Sequence, residues 1–218
     1  MTAQVVPVRA VIWDFGGVFT TSPFDAFNRY ERERRLPVDI IRRINAANPD
    51  ANAWARIERA EVDAATFDRL FAAEAKLLGH TIPGKDVLAL LSGDLRPRVV
   101  AAFKACKAKF KVGCITNNAP TGKGAGMSSS SEKAQAIAEV FSLFDHVIES
   151  SKAGVRKPDP RIYRMMCEAL EVAPAECVYL DDLGINLKPA REMGMTTIKV
   201  LSEDQLLADL SEATGLSF

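Results

Sequence analysis

Short apolar runs alternate with longer amphipathic ones along most of this chain. The runs Val8–Trp13, Lys111–Ile115, Asp145–Ile148, Cys177–Leu180 and Met195–Val200 include many β-branched residues, and each closes on a polar or glycine-bearing segment. Between the later runs, apolar positions recur at helical spacing over Arg98–Phe110, Glu132–Val140, Arg161–Leu170, Leu187–Met193 and Asp204–Leu210. Strands that alternate with amphipathic helices predict an α/β fold, a parallel sheet flanked by helices. The boundaries carry matching chemistry. Asp159 suits an N-cap with Pro160 at the first helical position, where a missing N–H costs nothing. Asn186 is expected to cap the helix that Gly194 ends, since glycine tolerates the left-handed conformation beyond a last turn.

One stretch breaks the alternation. After the first strand, Thr21 to about Arg96 reads as helical throughout, with Ser22-Pro23 as cap and first position. Phe67, Leu70, Phe71, Ala75 and Leu78 recur at helical spacing, and Gly79, Pro83, Gly84 and Gly93 punctuate the end. The expected organisation is an α/β core of residues 1–20 and 97–218 with a helical cap, residues 21–96, inserted after the first strand. The serine- and glycine-rich stretch Ala119–Ser131 reads as a surface loop. Its glycines fit neither the phosphate-loop nor the dinucleotide spacing.

Composition narrows the partners. The 218 residues are 48% hydrophobic and 26% charged, with 28 basic against 28 acidic side chains. A chain of this size buries a core without staples, and a balanced charge supplies no field for collecting nucleic acid. No stretch stays apolar over the ~20 residues that a membrane span needs. Met1–Val8 lacks the layout of a secretory signal, and Cys106, Cys114, Cys167 and Cys177 lack the paired spacing of a zinc site. These features predict a reduced, cytoplasmic protein, without fixing its oligomeric state.

In open parallel sheets, ligands bind beyond the carboxyl ends of the strands. The polar residues there are Asp14 after Val11-Ile12-Trp13, Thr116-Asn117-Asn118 after Gly113-Cys114-Ile115, Lys157, and Asp181-Asp182 after Val178-Tyr179-Leu180. Three carboxylates and a lysine in one crevice need a compensating cation. Hard oxygen donors point to Mg2+, which takes one or two carboxylates and completes its shell with water and phosphate. Taken singly, each residue also fits a plainer role in a turn, a cap or a solvated surface. On the inserted segment, Trp54 and Arg56 are candidates for reading the substrate, one as a flat wall and the other as an anion fork. Packing of Trp54 and pairing of Arg56 with a nearby glutamate are the alternatives. His80 and His146 receive no catalytic role.

The stretches FDHVIESSKAGVRKPDPRIY and VYLDDLGINLKPAREMGMTTIKV, with WDFGGV, make the chain similar to the haloacid dehalogenase (HAD) superfamily. It resembles in particular the group typified by the phosphatase domain of soluble epoxide hydrolase. The resemblance spans nearly the whole chain and implies a doubly wound, Rossmann-like core with a helical cap. It further implies a Mg2+-dependent phosphatase for a small phosphorylated metabolite. Under it, Asp14 is the nucleophile that forms an aspartyl-phosphate, and Thr116 and Asn117 hold the transferring oxygens. Lys157 offsets nucleophile and phosphate. Asp182, Asp14 and the carbonyl of Gly16 hold the metal, Asp181 orients Lys157 or metal-bound water, and Asn186 is a supporting polar position.

One position departs from the group. Most of its phosphatases place a second aspartate two residues after the nucleophile, and here that residue is Gly16. The carboxyl that protonates the leaving group and then activates water is missing. A positioned acid–base is worth about 10²–10⁴ in rate, so slow or leaving-group-selective hydrolysis is expected. Two other outcomes fit the same residues: a ligand-binding or regulatory protein that keeps the fold without turnover, and a metal-independent dehalogenase. Asp181-Asp182 argues against the last. Gly16-Gly17 also fits a simple tight turn.

Overall fold

A computed structural model of the chain describes residues 6–120, 127 and 130–218. Five parallel strands form one sheet: β1 (Ala10–Trp13), β2 (Lys111–Thr116), β3 (His146–Glu149), β4 (Cys177–Asp181) and β5 (Thr196–Lys199). Their order is β3-β2-β1-β4-β5, so the chain winds outward from β1 in both directions. The expected runs match these strands to within two residues. Trp13 lies opposite Cys114 of β2 and Leu180 of β4, which brings the residues after β1, β2 and β4 to one edge of the sheet.

Residues 21–96, between β1 and β2, form five separate helices. They are α1 (Pro23–Glu33), α2 (Ile40–Ala46), α3 (Ala53–Glu58), α4 (Ala64–Leu77) and α5 (Gly84–Ala89). Local cap chemistry restarts the helix each time. Ser22 accepts from Phe24 N–H, Asn52 from Ala55 N–H and Asp63 from Thr66 N–H, while buried Glu31 accepts from the N–H groups of Asp39 and Ile41. These helices share a core built around Phe27, Ile41, Ile57, Phe67, Phe71 and Val87. At their base, Thr20 bridges Leu95, and Arg96 N–H donates to Phe19 O at 2.8 Å.

Beyond them lie α6 (Pro97–Lys107), α7 (Ser131–Phe141), α8 (Ser150–Ala153), α9 (Pro160–Leu170), α10 (Gly184–Glu192) and α11 (Glu203–Thr214). Alternation along the strands sends Val11, Trp13 and Leu180 to the face covered by α6, α7 and α11. Ala10, Ile12 and Tyr179 go to the face covered by α9 and α10. Both faces are buried, as a parallel sheet requires. The four cysteines are free and buried. Among the described residues, no helix is long and apolar enough to cross a membrane. Most of the serine- and glycine-rich stretch, residues 121–126, 128 and 129, lies outside the described residues.

One helix boundary differs from expectation. α10 begins at Gly184 with Leu183 before it and no side-chain cap, so Asn186 sits inside the first turn instead of capping it. The helix still ends as expected, with Gly194 at φ +97°. Asp159 accepts from Arg161 N–H at 2.9 Å with Pro160 in the first position.

Phe103 is fully buried and meets Trp13, Phe19 and Phe144 edge-on or tilted, with ring centroids 4.5 to 5.9 Å away. Phe103→Ala is expected to lower unfolding stability by about 3–5 kcal/mol, through lost transfer energy and a residual cavity. Urea denaturation followed by circular dichroism measures this; a loss below about 1 kcal/mol would mean that the site collapses to fill the space.

Candidate functional site

Asp14 leaves β1 at the carboxyl edge of the sheet. Its Oδ1 accepts from Phe15 N–H at 2.6 Å and pairs with Lys157 Nζ at 2.8 Å. Lys157 Nζ also pairs with Asp181 Oδ2 at 2.8 Å, and the lysine is only 1% exposed. One buried ammonium therefore ties the residue after β1 to the end of β4. Both contacts of Asp14 fall on Oδ1, which leaves Oδ2 as the oxygen available to the crevice.

The loop after β2 fixes the lysine from the other side. Asn117 Oδ1 accepts from Lys157 N–H at 2.9 Å, and Asn117 Nδ2 donates to Lys157 O at 3.1 Å. Thr116, the last residue of β2, is buried beside this clamp. Asn118 turns away to tie Glu149, Ser150 and Ser151, so the ends of β2 and β3 are locked together.

Asp181 and Asp182 have different surroundings. Asp181 is fully buried and saturated: it accepts from Lys157 Nζ, Tyr179 OH, Leu183 N–H and Asn186 Nδ2. Asp182 is partly exposed and lines the cavity. Gly17 makes its position possible, because an added Cβ there would overlap the Asp182 carboxylate, and Gly17 sits at φ +75°. Arg96 Nη1 holds the same loop by donating to Gly17 O at 3.0 Å.

Carboxylate oxygens of Asp14, Asp181 and Asp182 lie within 4.8 Å of one another, three negative groups against one lysine. Burial, with repulsion from Asp181 and Asp182, pushes the Asp14 carboxyl well up despite Lys157. Burial and the Asp181 charge push Asp182 up to about 7. For Lys157, burial works against the charge, but Asp14 and Asp181 outweigh it and raise the ammonium further. The donors are all hard oxygens with an uncompensated negative charge, which fits a divalent cation.

These groups line a cavity of about 460 Å³. Its floor is Asp14, Gly16, Thr116, Asn117, Lys157 and Asp182, and Phe24, Phe27, Trp54, Leu91 and Ile185 supply apolar wall. Trp54 is in the wall, 5.3 Å from the Phe67 ring. Arg56 is not among the lining residues; it approaches Glu61, at 3.8 Å. His80 and His146 do not line the cavity.

Glu58 and Arg156 also line the cavity and were not among the residues expected there. Glu58, 6% exposed at the end of α3, accepts from Arg156 Nε at 2.5 Å and from Asn117 Nδ2 at 3.3 Å. The signal was present in the spacing: Trp54 and Glu58 are four apart and share a helix face, whereas Arg56 points elsewhere.

A family model described as haloacid dehalogenase-like hydrolase matches residues 8–194. The chain is 30% identical to the bifunctional epoxide hydrolase 2 of Mus musculus over 97% of its own length and 40% of that protein. It is 29% identical to phosphatase MT3486 of Mycobacterium tuberculosis (strain CDC 1551 / Oshkosh), covering 94% of each. It spans about a fifth to two fifths of the length of several curated relatives that it matches. Among solved structures, the HAD family enzyme bt-2542 of Bacteroides thetaiotaomicron, in complex with magnesium and inorganic phosphate, superposes with a TM-score of 0.59 at 16% identity. That match covers 90% of this chain and 96% of that one.

The acidic cluster predicts a pH signature. Asp182 holds its proton up to about 7 when folded and releases it near the ordinary aspartate value, about 4, when unfolded. In that window the folded state binds the extra proton, so the Asp182 contribution to stability is full below about 4 and is lost as pH rises towards 7. Metal-free protein is expected to lose thermal midpoint over this range relative to Asp182→Asn. Mg2+ is expected to restore the midpoint at pH 8 and not at pH 5. Parallel pH profiles for the two proteins in thermal denaturation would contradict this assignment.

Proposed function

Because the chain belongs to the haloacid dehalogenase-like hydrolases, we propose that it is a Mg2+-dependent phosphatase acting on a small phosphate monoester through a covalent intermediate on Asp14. The observation that carries the reading is Lys157, held at 2.8 Å from both Asp14 and Asp181 at the floor of the cavity. That arrangement sets a cation against the upward push of burial on Asp14, beside the carboxylate that must attack a phosphate ester.

Asp14 Oδ2 attacks phosphorus, and the ester P–O bond breaks as the new bond forms. Thr116 and the Asn117 N–H hold transferring oxygens, and Lys157 offsets their charge together with that of Asp14. Asp181 cannot serve two purposes: its donors commit it to holding Lys157 and the start of α10. Asp14, Asp182 and the Gly16 carbonyl would hold Mg2+, which when bound neutralises charge on the phosphoryl group. The inserted helices act as a cap whose apolar residues, Phe24, Phe27 and Trp54, favour an ester with an apolar alcohol. A cytoplasmic setting is consistent with four free, buried cysteines.

The two glycines have separate explanations. Gly17 is required by its positive φ and by the approach of Asp182. Gly16 is not: an added Cβ there would meet nothing within 4 Å. Space for a side chain exists and no acid fills it, so the alcohol must depart without a proton from this position. That same absence favours the second reading, a phosphate-binding protein without turnover.

Hydrolysis of p-nitrophenyl and acyl phosphates is expected to exceed that of alkyl phosphates. Turnover should vanish with EDTA and in Asp14→Asn. Gly16→Asp should raise alkyl phosphate turnover by up to about 10²–10⁴ while changing aryl phosphate turnover little. Steady-state assays across a series of leaving groups measure both effects. Mg2+-dependent phosphate binding with no turnover of any ester would establish the second reading instead.

A further inference from the structure

The missing acid at Gly16 leaves a second gap in the reaction. Water that attacks phosphorylated Asp14 must lose a proton, and it enters roughly in line, from the side that the alcohol has left. Residues of α1, α2 and α3 line the same cavity as Asp14. Two carboxylates from the inserted segment line the cavity, Asp50 and Glu58. Asp50 is exposed, whereas Glu58 is 6% exposed and hydrogen-bonded to Asn117, next to the residue that holds the phosphoryl group.

We propose that Glu58 is the general base for hydrolysis of the aspartyl-phosphate, a carboxylate brought by the inserted helices in place of the one that Gly16 lacks. The inference rests on the phosphatase reading. In the step, the water oxygen bonds to phosphorus and its proton passes to a Glu58 oxygen. The bond between phosphorus and Asp14 breaks, which returns Asp14 as a carboxylate and releases phosphate. Arg156 pairs with Glu58 through Nε at 2.5 Å and is itself anchored by donating from Nη1 to Pro49 O at 3.1 Å. Burial pushes the Glu58 carboxyl up while Arg156 opposes it, so a poorly solvated carboxylate is available to take a proton. The absence of any acid for the first half-reaction stands unchanged, and leaving-group selectivity is retained.

The test is pre-steady-state release of p-nitrophenolate from p-nitrophenyl phosphate with saturating Mg2+. Glu58→Gln is expected to release a stoichiometric burst of nitrophenolate and then turn over about 10²-fold more slowly than wild type, because breakdown of the intermediate has lost its base. Gly16→Asp added to Glu58→Gln should abolish the burst and restore turnover. Arg156→Gln breaks the same ion pair but keeps the carboxylate, and should show no burst. The proposal is overturned if Glu58→Gln slows the first turnover and later ones equally, if it leaves turnover unchanged, or if Arg156→Gln shows the same burst. An absence of Mg2+-dependent release from wild type would overturn the phosphatase reading, and this inference with it.

Discussion

The site depends on a buried lysine held between two carboxylates. An ammonium taken out of water is costly unless its charge is paired with good geometry. Lys157 meets that condition by binding Asp14 and Asp181 at 2.8 Å each. The remaining contacts serve the same arrangement. Asn117 clamps the lysine backbone, Tyr179 and Asn186 saturate Asp181, and the sheet register brings the two aspartates to one edge. With one lysine for three acids, the cluster holds a surplus of negative charge, which fits a divalent cation.

Adjacent residues in this site carry unlike duties because of their surroundings. Asp181 is locked into the fold by its donors, while Asp182 is free to bind because Gly17 has no side chain to displace it. Gly16, one residue earlier, has open space around it. A tight turn accounts for one glycine of the pair and not the other. The inserted helices then matter twice, as an apolar wall and as the source of Glu58, which Arg156 couples to the loop holding Lys157.

Much of this was legible from the chain. Strand ends announce themselves where a β-branched run stops at a polar residue, and so Asp14, Thr116 and Asp181 could be placed on one edge before any coordinates. The inserted segment was legible as helical but not as five helices, since Asn52 and Asp63 act as caps only once their backbone geometry is known. Asn186 was read as a cap because its sequence context suits one; α10 instead starts three residues earlier, which frees the amide for Asp181. Arg56 was chosen for its charge, yet helix geometry puts Glu58, not Arg56, on the face of Trp54. The burial of Lys157 was not legible from local pattern, which does not separate a paired lysine from a solvated one; only its place beyond the strand ends and the family resemblance pointed to the pairing.

The proposed reaction passes through phosphorylation of Asp14. The direct measurement is an acid quench during turnover of p-nitrophenyl phosphate with Mg2+, followed by peptide mass mapping. One added phosphoryl group is expected on the peptide holding Asp14, lost on treatment with hydroxylamine and absent in Lys157→Met. Turnover with that peptide unmodified, or with the phosphoryl group on another residue, would contradict it.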